Sequence, residues 1–160
     1  PAKEEGAYHF VNNEDNDHDE CPQMAMERIN GAIFFGAVDH VQNSLMEIDE
    51  KNPQRKTVLI VAGGINFVDA AGAELLAQEA RRRRKLGGGL YFYNCKNKVY
   101  KFLKQSDKLD DIGAGGFFPR MSNWIKPVYA TLDSEICRSC KYRIFSECQS
   151  HLPNGEARID

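Results

Sequence analysis

The sequence has no apolar run of the roughly 20 residues that a helix needs to cross a bilayer. Neither sign of charge dominates, because the net charge is −2 and the isoelectric point is about 6.1. The amino terminus lacks the basic and apolar segments of a secretory signal peptide. These absences argue against a membrane span within the 160 residues and give no indication of nucleic-acid binding.

The common catalytic motifs are also missing. There is no Gly-x-Ser-x-Gly elbow, no His-Glu-x-x-His helix and no Gly-x-Gly-x-x-Gly dinucleotide loop. The glycine-rich residues 113–116 are followed by Phe117 and Phe118 instead of the Gly-Lys-Ser/Thr of a phosphate-binding loop. We therefore expect a protein that is not an enzyme and that requires no cofactor.

The length and composition fit one domain with a substantial core, since 42% of the 160 residues are hydrophobic and 28% are charged. We divide the chain into an acidic linker or partly ordered arm at 1–20, a main domain at 21–133 and a cysteine-rich tail at 134–160. The first residue is Pro1 and not methionine. We therefore expect the chain to be a fragment of a longer protein.

Residues 57–95 have the clearest secondary-structure pattern of the chain. Residues 58–62 are apolar and mostly β-branched, which is typical of a strand buried on both faces. Residues 70–86 combine strong helix formers with one apolar side, and glycines at 87–89 end this helix before an aromatic strand at 90–93. Strand, helix and strand in this order predict a βαβ unit with parallel strands.

A hairpin is predicted ahead of the βαβ unit. The dipeptide Asn30-Gly31 favours a two-residue turn, so strands at 24–29 and 32–35 should pair antiparallel. The second of these strands should lead into an amphipathic helix at 37–50.

After the βαβ unit, a lysine-rich amphipathic helix begins near Asn97, with Asn97 or Asn94 as its cap. A last strand at 117–118 and a short last helix within 123–132 follow. Together these elements predict an α/β fold with a central mixed sheet of four to five strands flanked by helices, to which the cysteine-containing tail is added.

The loop ahead of the central helix carries the candidate functional residues. Asp69 directly precedes the helical pattern, so its carboxylate can accept hydrogen bonds from the free N–H groups of the first turn. Gly72 lets that turn pack closely against neighbouring backbone. Residues 66–72 should lie at the carboxyl end of a strand, where α/β folds form their ligand surfaces.

This loop resembles that of the STAS domain, a family named for sulfate transporters and anti-sigma-factor antagonists. In that family an Asp-Ser-Ser/Ala-Gly loop precedes a helix with an early leucine, and Asp69, Gly72 and Leu76 match this motif. The order of elements extends the resemblance over about residues 24–132. Ala70 departs from the branch of the family that is switched by phosphorylation, because alanine has no hydroxyl group to modify.

The resemblance implies a function, and it is closest to the cytoplasmic C-terminal STAS domain of a bacterial SulP-type, or sulfate permease, anion transporter. Such a domain would be a non-catalytic regulatory or interaction module on the cytoplasmic side of the inner membrane, attached to an upstream transmembrane transport domain. Oligomers would form through the full-length transporter. The switch loop, defined by Asn66, Asp69, Ala70 and Gly72, would bind a protein partner or a nucleotide but no nucleic acid.

The alternative within the same family is a free-standing module that binds proteins as an anti-sigma-factor antagonist does. Such a module would here lack the usual phosphoacceptor, since Ala70 takes its place.

Three cysteines and a histidine in the tail have the spacing of metal ligands. Cys137 and Cys140 form one x-x pair, and Cys148 and His151 form a second. Thiolate and imidazole are the ligands that zinc prefers, and two such pairs make a tetrahedral site. We therefore predict that these four residues can bind zinc.

Other interpretations of the tail remain open. An iron–sulfur cluster would take Cys21 or Cys95 as a fourth ligand beside the three tail cysteines. Without a metal, the thiols would be free, or the first pair would be oxidised in purified protein. The apolar residues at 142–145 would then order the tail as a short amphipathic helix docked on the sheet.

Four arginines at 81–84 and Lys85 end the central helix, where cations complement the helix dipole. This run is either a solvated helix end or a contact for acidic lipid headgroups or an acidic partner.

Overall fold

The computed structural model describes residues 21–159, together with the backbone at 3–4 and 7–8. Most of the predicted acidic linker at 1–20 lies outside the described residues. The strands are β1 (Lys3–Glu4), β2 (Ala7–Tyr8), β3 (Met24–Arg28), β4 (Gly31–Ile33), β5 (Thr57–Val61), β6 (Ile65–Val68), β7 (Gly89–Tyr93) and β8 (Phe117–Phe118). The helices are α1 (Val38–Lys51), α2 (Ala70–Lys85), α3 (Asn97–Gln105), α4 (Leu109–Ile112), α5 (Ile125–Tyr129), α6 (Ser134–Ser139) and α7 (Ser146–Ser150).

Four strands form a sheet in the order β3-β5-β7-β8, and all three pairings are parallel. The strand β5 lies inside this sheet with every residue buried, as its unbroken apolar sequence predicts. Val58 of β5 pairs with Ala25 of β3 on one side and with Leu90 of β7 on the other. The α/β class and the βαβ unit are confirmed.

The predicted antiparallel hairpin is wrong. The strand β3 pairs in parallel with β5, whereas β4 pairs in parallel with β6 in a separate two-stranded sheet. Gly31 has a φ of 89°, and its N–H donates to the carbonyl oxygen of Gly64 at 2.8 Å. The turn at Asn30-Gly31 therefore carries the chain from one sheet to the next, and the main sheet is parallel where a mixed one is predicted.

The sequence pattern does not predict β6. Ile65 and Val68 at its ends are buried, but Asn66 and Phe67 in its middle are exposed. This order has neither the alternation of a half-buried strand nor the continuous apolar run of a buried one. The register of β4 against β6 shifts between Gly31 and Ala32, and this irregularity accompanies the loss of alternation.

The two faces of the main sheet are covered by different parts of the chain. Side chains alternate along β5, so Val58 and Ile60 belong to one hydrophobic cluster while Leu59 and Val61 belong to another. The first cluster contains the buried apolar side chains of α1, α2, α3 and α4. The second contains residues in and beside α5 and in the tail, which are Trp124, Ile125, Val128, Tyr129, Leu132, Cys137, Phe145, Cys148 and Leu152.

The tail is therefore ordered, and it forms the layer that covers the second face. Phe145 packs edge-on against Trp124 with ring centroids 6.0 Å apart. The predicted docked helix at 142–145 does not form, because α7 begins only at Ser146. Apolar docking of the tail is present, but the chain between α6 and α7 is irregular.

The bounds of α1 and α2 agree with the sequence prediction, but the predicted cap of α3 does not. The ends of α1 and α2 lie within one residue of the predicted ranges. Capping of α3 by Asn97 or Asn94 is wrong, because Lys96 occupies the N-cap position without a side-chain hydrogen bond and Asn94 has a φ of 61° in the preceding turn. Within residues 21–159, no helix combines the length and the apolar character that a membrane crossing requires.

Candidate functional site

Asp69 caps α2, as predicted, and it also holds the segment that follows β4. Its Oδ1 accepts a hydrogen bond from the N–H of Gly72 at 2.8 Å, and its Oδ2 accepts one from the N–H of Phe35 at 3.0 Å. These backbone donors favour the ionised carboxylate and lower the pKa of Asp69 below its ordinary value. One carboxylate thus joins the first turn of α2 to the turn after β4.

Gly72 brings the same two segments into close contact. A Cβ placed on Gly72 would lie 2.1 Å from the carbonyl oxygen of Ile33, the last residue of β4. That oxygen also accepts a hydrogen bond from the N–H of Asp69 at 3.2 Å. A side chain at Gly72 would force α2 and β4 apart, so the fit requires glycine.

The structure brings the four residues of the switch loop to one end of α2 and β6, where they divide into two pairs. Asn66 and Ala70 are exposed, whereas Asp69 is half-buried and Gly72 is buried. Asp69 and Gly72 therefore hold the backbone in place, and the side chains of Asn66 and Ala70 are accessible at the surface.

Three phenylalanines beside Asp69 expose a large part of their side chains. The exposed fraction is 44% for Phe34, 81% for Phe35 and 52% for Phe67. Phe34 and Phe35 follow β4, and Phe67 lies on β6, where it pairs with Ala32 of β4. We call Phe34, Phe35 and Phe67 the aromatic edge. Exposed aromatic groups on a rigid backbone are typical of surfaces that contact another protein. The sequence does not predict this surface, because its pattern places Phe34 and Phe35 inside a hairpin strand.

The arginine run is an internal ion-pair network. The side chain of Arg83 is fully buried, with Nε 2.8 Å from Glu79 Oε1 and Nη2 2.7 Å from Asp49 Oδ1. Arg82 contacts the same two carboxylates, and Arg81 pairs with carboxylates on α2 and α4. The solvated helix end and the lipid contact are therefore wrong for Arg83, whereas Arg81 and Arg82 keep 39% and 37% of their side chains exposed.

Three tail cysteines meet at one cavity, but His151 does not join them. Cys137, Cys140 and Cys148 line the cavity together with Cys21, which precedes β3. The Nδ1 atom of His151 lies 2.8 Å from Ser150 Oγ, and its ring packs edge-on against another side chain of the second cluster. The predicted set of three cysteines and a histidine is therefore not assembled by the fold.

Burial raises the pKa values of several cysteine thiols. Burial raises the pKa of Cys21 to about 11 and that of Cys137 to about 12. Burial likewise raises the pKa of Cys95, outside the cavity, to about 11, so this thiol is protonated at neutral pH. All five cysteines are free. No three His, Cys, Asp or Glu side chains within residues 21–159 already have the arrangement of a metal site, so metal binding stays a prediction.

Comparison with known proteins identifies the family. A family model described as the STAS domain matches residues 17–134. The chain belongs to the STAS domain family. The match includes the capped loop at Asp69, the close contact at Gly72 and all four strands of the main sheet.

This STAS domain is similar to part of a much longer curated protein. "Putative sulfate transporter YvdB" of Bacillus subtilis is 26% identical over 99 residues, which are 62% of this chain and 18% of that protein. The chain therefore spans less than a fifth of the curated relative that it matches.

Solved structures of transporter families share the fold. The STAS domain of a SulP transporter from Vibrio cholerae has a TM-score of 0.50 at 17% identity, and the match covers 63% of this chain and 77% of that chain. A sulfate transporter family protein from Wolinella succinogenes has a TM-score of 0.51 at 22% identity, covering 59% of this chain and 75% of that one. The murine anion transporter Slc26a9 has a TM-score of 0.57 at 17% identity, covering 64% of this chain and 17% of that one.

Proposed function

We propose that this STAS domain is the regulatory and interaction domain of a SulP-type transporter of sulfate or a related anion, and that it catalyses no reaction. The observation that carries the proposal is the pattern of coverage. The similar region makes up 75% and 77% of two short chains, but only 18% and 17% of two proteins described as transporters. A domain that recurs as a small part of larger transporters supports an upstream transport domain in the membrane, with this domain on the cytoplasmic side.

The aromatic edge is the surface through which the domain contacts that partner. The exposed rings of Phe35 and Phe67 flank the loop that Asp69 holds rigid, so little conformational entropy is lost when they are buried. Nearby Ala70 is exposed and has no hydroxyl, which removes phosphorylation at this position as a control.

The partner is a protein and not a nucleotide. A helix N-terminus attracts a phosphate group through its free N–H groups. At α2, the carboxylate of Asp69 already accepts from Gly72, and it places a negative charge where the phosphate would lie. No lysine or arginine lies between Asn66 and Gly72 to offset that charge.

The first test concerns the protein in its own cell. An antibody raised against the domain should detect, in the membrane fraction, a band several times larger than the 18.1 kDa of this chain. A band near 18.1 kDa in the soluble fraction would overturn the proposal and favour the free-standing antagonist-like module.

The second test measures sulfate uptake by the full-length transporter that carries this domain. The double variant Phe35→Ser and Phe67→Ser should reduce uptake while leaving the amount of transporter in the membrane unchanged. Met121→Ser is the matched control, because Met121 is 64% exposed and lies outside the aromatic edge. Equal uptake by the wild type and the double variant would show that the aromatic edge is not the contact surface.

A further inference from the structure

We propose that Cys21, Cys137, Cys140 and Cys148 bind one zinc ion in the cavity beneath the tail. Cys21 thereby takes the position that the sequence spacing assigns to His151. The site would be a structural one, with four protein ligands and no open position.

The four thiols come to the cavity from three separate segments. Cys21 directly precedes the segment that leads into β3, Cys137 and Cys140 lie at the end of α6, and Cys148 lies in α7. The N–H of Cys140 donates to the carbonyl oxygen of Cys137 at 3.2 Å, so these two residues form a tight turn. Two ligands from one tight turn are the usual half of a four-cysteine zinc site, and Cys21 and Cys148 supply the rest.

The size of the cavity fits a single ion. Its volume is about 10 Å³, which is close to the space of one water-sized sphere. An iron–sulfur cluster, with several iron and sulfide atoms, needs considerably more room. Pro22, Leu132 and Ile144 also line the cavity, so a bound ion would be largely shielded from water.

The charges around the cavity fit a zinc ion with four thiolates, whose net charge is −2. Arg143 and Arg158 both line the cavity. The Nη2 of Arg158 donates to the carbonyl oxygen of Cys137 at 2.8 Å. Its Nε is buried and has no acceptor among the described residues. Such a donor is costly to leave unpaired, and a zinc-bound thiolate at the cavity would satisfy it.

Binding would rearrange the side chains that surround the thiols. The amide Nε2 of Gln23 lies 3.1 Å from Cys137 Sγ, and this contact would give way as the sulfur turns towards the ion. The four thiols would release four protons to the solvent, and no electrons would be transferred. His151 would stay outside the site, since the hydroxyl of Tyr129 donates to its carbonyl oxygen at 2.6 Å and His151 does not line the cavity.

The decisive experiment compares ligand variants of the whole chain, purified under reducing conditions without a metal-affinity tag. Mass spectrometry of the metal should find about one zinc per wild-type chain. Cys21→Ser should weaken zinc binding, measured by competition with a chromophoric chelator, by more than the roughly 10–100-fold that loss of an outer-shell group causes. His151→Ala should bind zinc as the wild type does, and so should Cys95→Ser, the matched cysteine control. Loss of zinc from His151→Ala with retention in Cys21→Ser would overturn the proposal.

A second measurement uses the wild type alone and does not depend on the folding of a variant. Alkylation mapped by mass spectrometry should find the four cavity cysteines protected together and exposed together after chelation, with Cys95 unchanged. The proposal fails if chelation changes no thiol. It also fails if the isolated protein contains iron and sulfide, or a disulfide between Cys137 and Cys140, in place of zinc.

Discussion

The side chain of Gln23 hydrogen-bonds both backbone groups of Asp133. Its Nε2 donates to the carbonyl oxygen of Asp133 at 2.9 Å, and its Oε1 accepts from the N–H of Asp133 at 2.7 Å. Gln23 is buried, and 110 residues separate it from Asp133. This reciprocal pair of hydrogen bonds fixes the chain just before β3 to Asp133. Asp133 in turn is the N-cap of α6, the first helix of the tail.

Gln23→Ala should lower the free energy of unfolding because it leaves the N–H and the carbonyl oxygen of Asp133 without these partners. We expect a loss of about 1–3 kcal/mol, measured by urea denaturation. Gln42→Ala is the matched control, since Gln42 is exposed on α1 and should change stability by less than about 0.5 kcal/mol. Equal midpoints for Gln23→Ala and Gln42→Ala would contradict the role of the reciprocal pair.

Asp69→Ala removes the cap of α2 and the hydrogen bond to Phe35 together. We expect Tm to fall by about 2–4 °C, as for the loss of a typical helix cap in a domain of this size. Asp69→Asn retains an acceptor oxygen without the charge and should have an intermediate Tm. An unchanged Tm for Asp69→Ala would show that the observed cap does not stabilise the helix.

The lowered pKa of Asp69 also predicts a dependence on pH. The folded state favours the ionised carboxylate, so the stabilisation is present above the pKa of the unfolded chain and is lost as pH falls through the lower folded pKa. The stability difference between the wild type and Asp69→Asn should therefore be constant near neutral pH and shrink in acid. A difference that grows on acidification would reverse the expected sign.

Gly72→Ala tests the contact between α2 and β4. The new methyl group would meet the Ile33 carbonyl oxygen, and backbone must move to relieve the overlap. We expect a loss of about 1–3 kcal/mol in the free energy of unfolding, as is typical of overpacking. Gly115→Ala is the matched control, because nothing lies within 4 Å of its added Cβ. A stabilised Gly72→Ala would refute the requirement for glycine.

Arg83→Met should be strongly destabilising. It removes the buried cation from Glu79 and Asp49, which keep only their contacts with Arg82, and we expect a loss of up to about 3–5 kcal/mol by thermal or urea unfolding. The double variant Arg83→Met and Glu79→Leu should recover part of that loss, since one uncompensated charge is removed. Lys85→Met, on the exposed end of the same helix, should have little effect. A wild-type midpoint for Arg83→Met would show that the network does not contribute to stability.

The features that the sequence predicts correctly are those determined by residues close together along the chain. The cap at Asp69 and the buried strand β5 follow from adjacent residues, because capping and burial on both faces leave local patterns. The hairpin at Asn30-Gly31 is wrong since the competing partner, the turn at Gly64, is distant in sequence. Gly31 has the positive φ that an Asn-Gly turn favours. The turn residues do not determine, however, which strand β4 pairs with.

The sequence likewise does not predict which charged or metal-binding side chains are buried. Arg83 and the exposed Arg84 belong to the same run of cations, but Arg83 is buried by contacts with Asp49 of α1 and with the carbonyl oxygens of Leu45 and Arg55, which are distant in sequence. The x-x spacing of Cys148 and His151 predicts that the two residues are close but not which way their side chains face. Cys148 lies in α7 and lines the cavity, whereas His151 follows the end of α7 and does not.

The second face of the sheet has a consequence for where this domain ends. The family match stops at residue 134, but Phe145, Cys148 and Leu152 lie beyond that limit in the same buried cluster as Leu59 and Val61. A protein truncated at the family boundary would keep Trp124, Ile125 and Val128 in this cluster but lose Phe145, Cys148 and Leu152, and the apolar surface they cover would favour self-association. The buried core is therefore longer than the stretch that sequence similarity recognises, and it extends to Leu152.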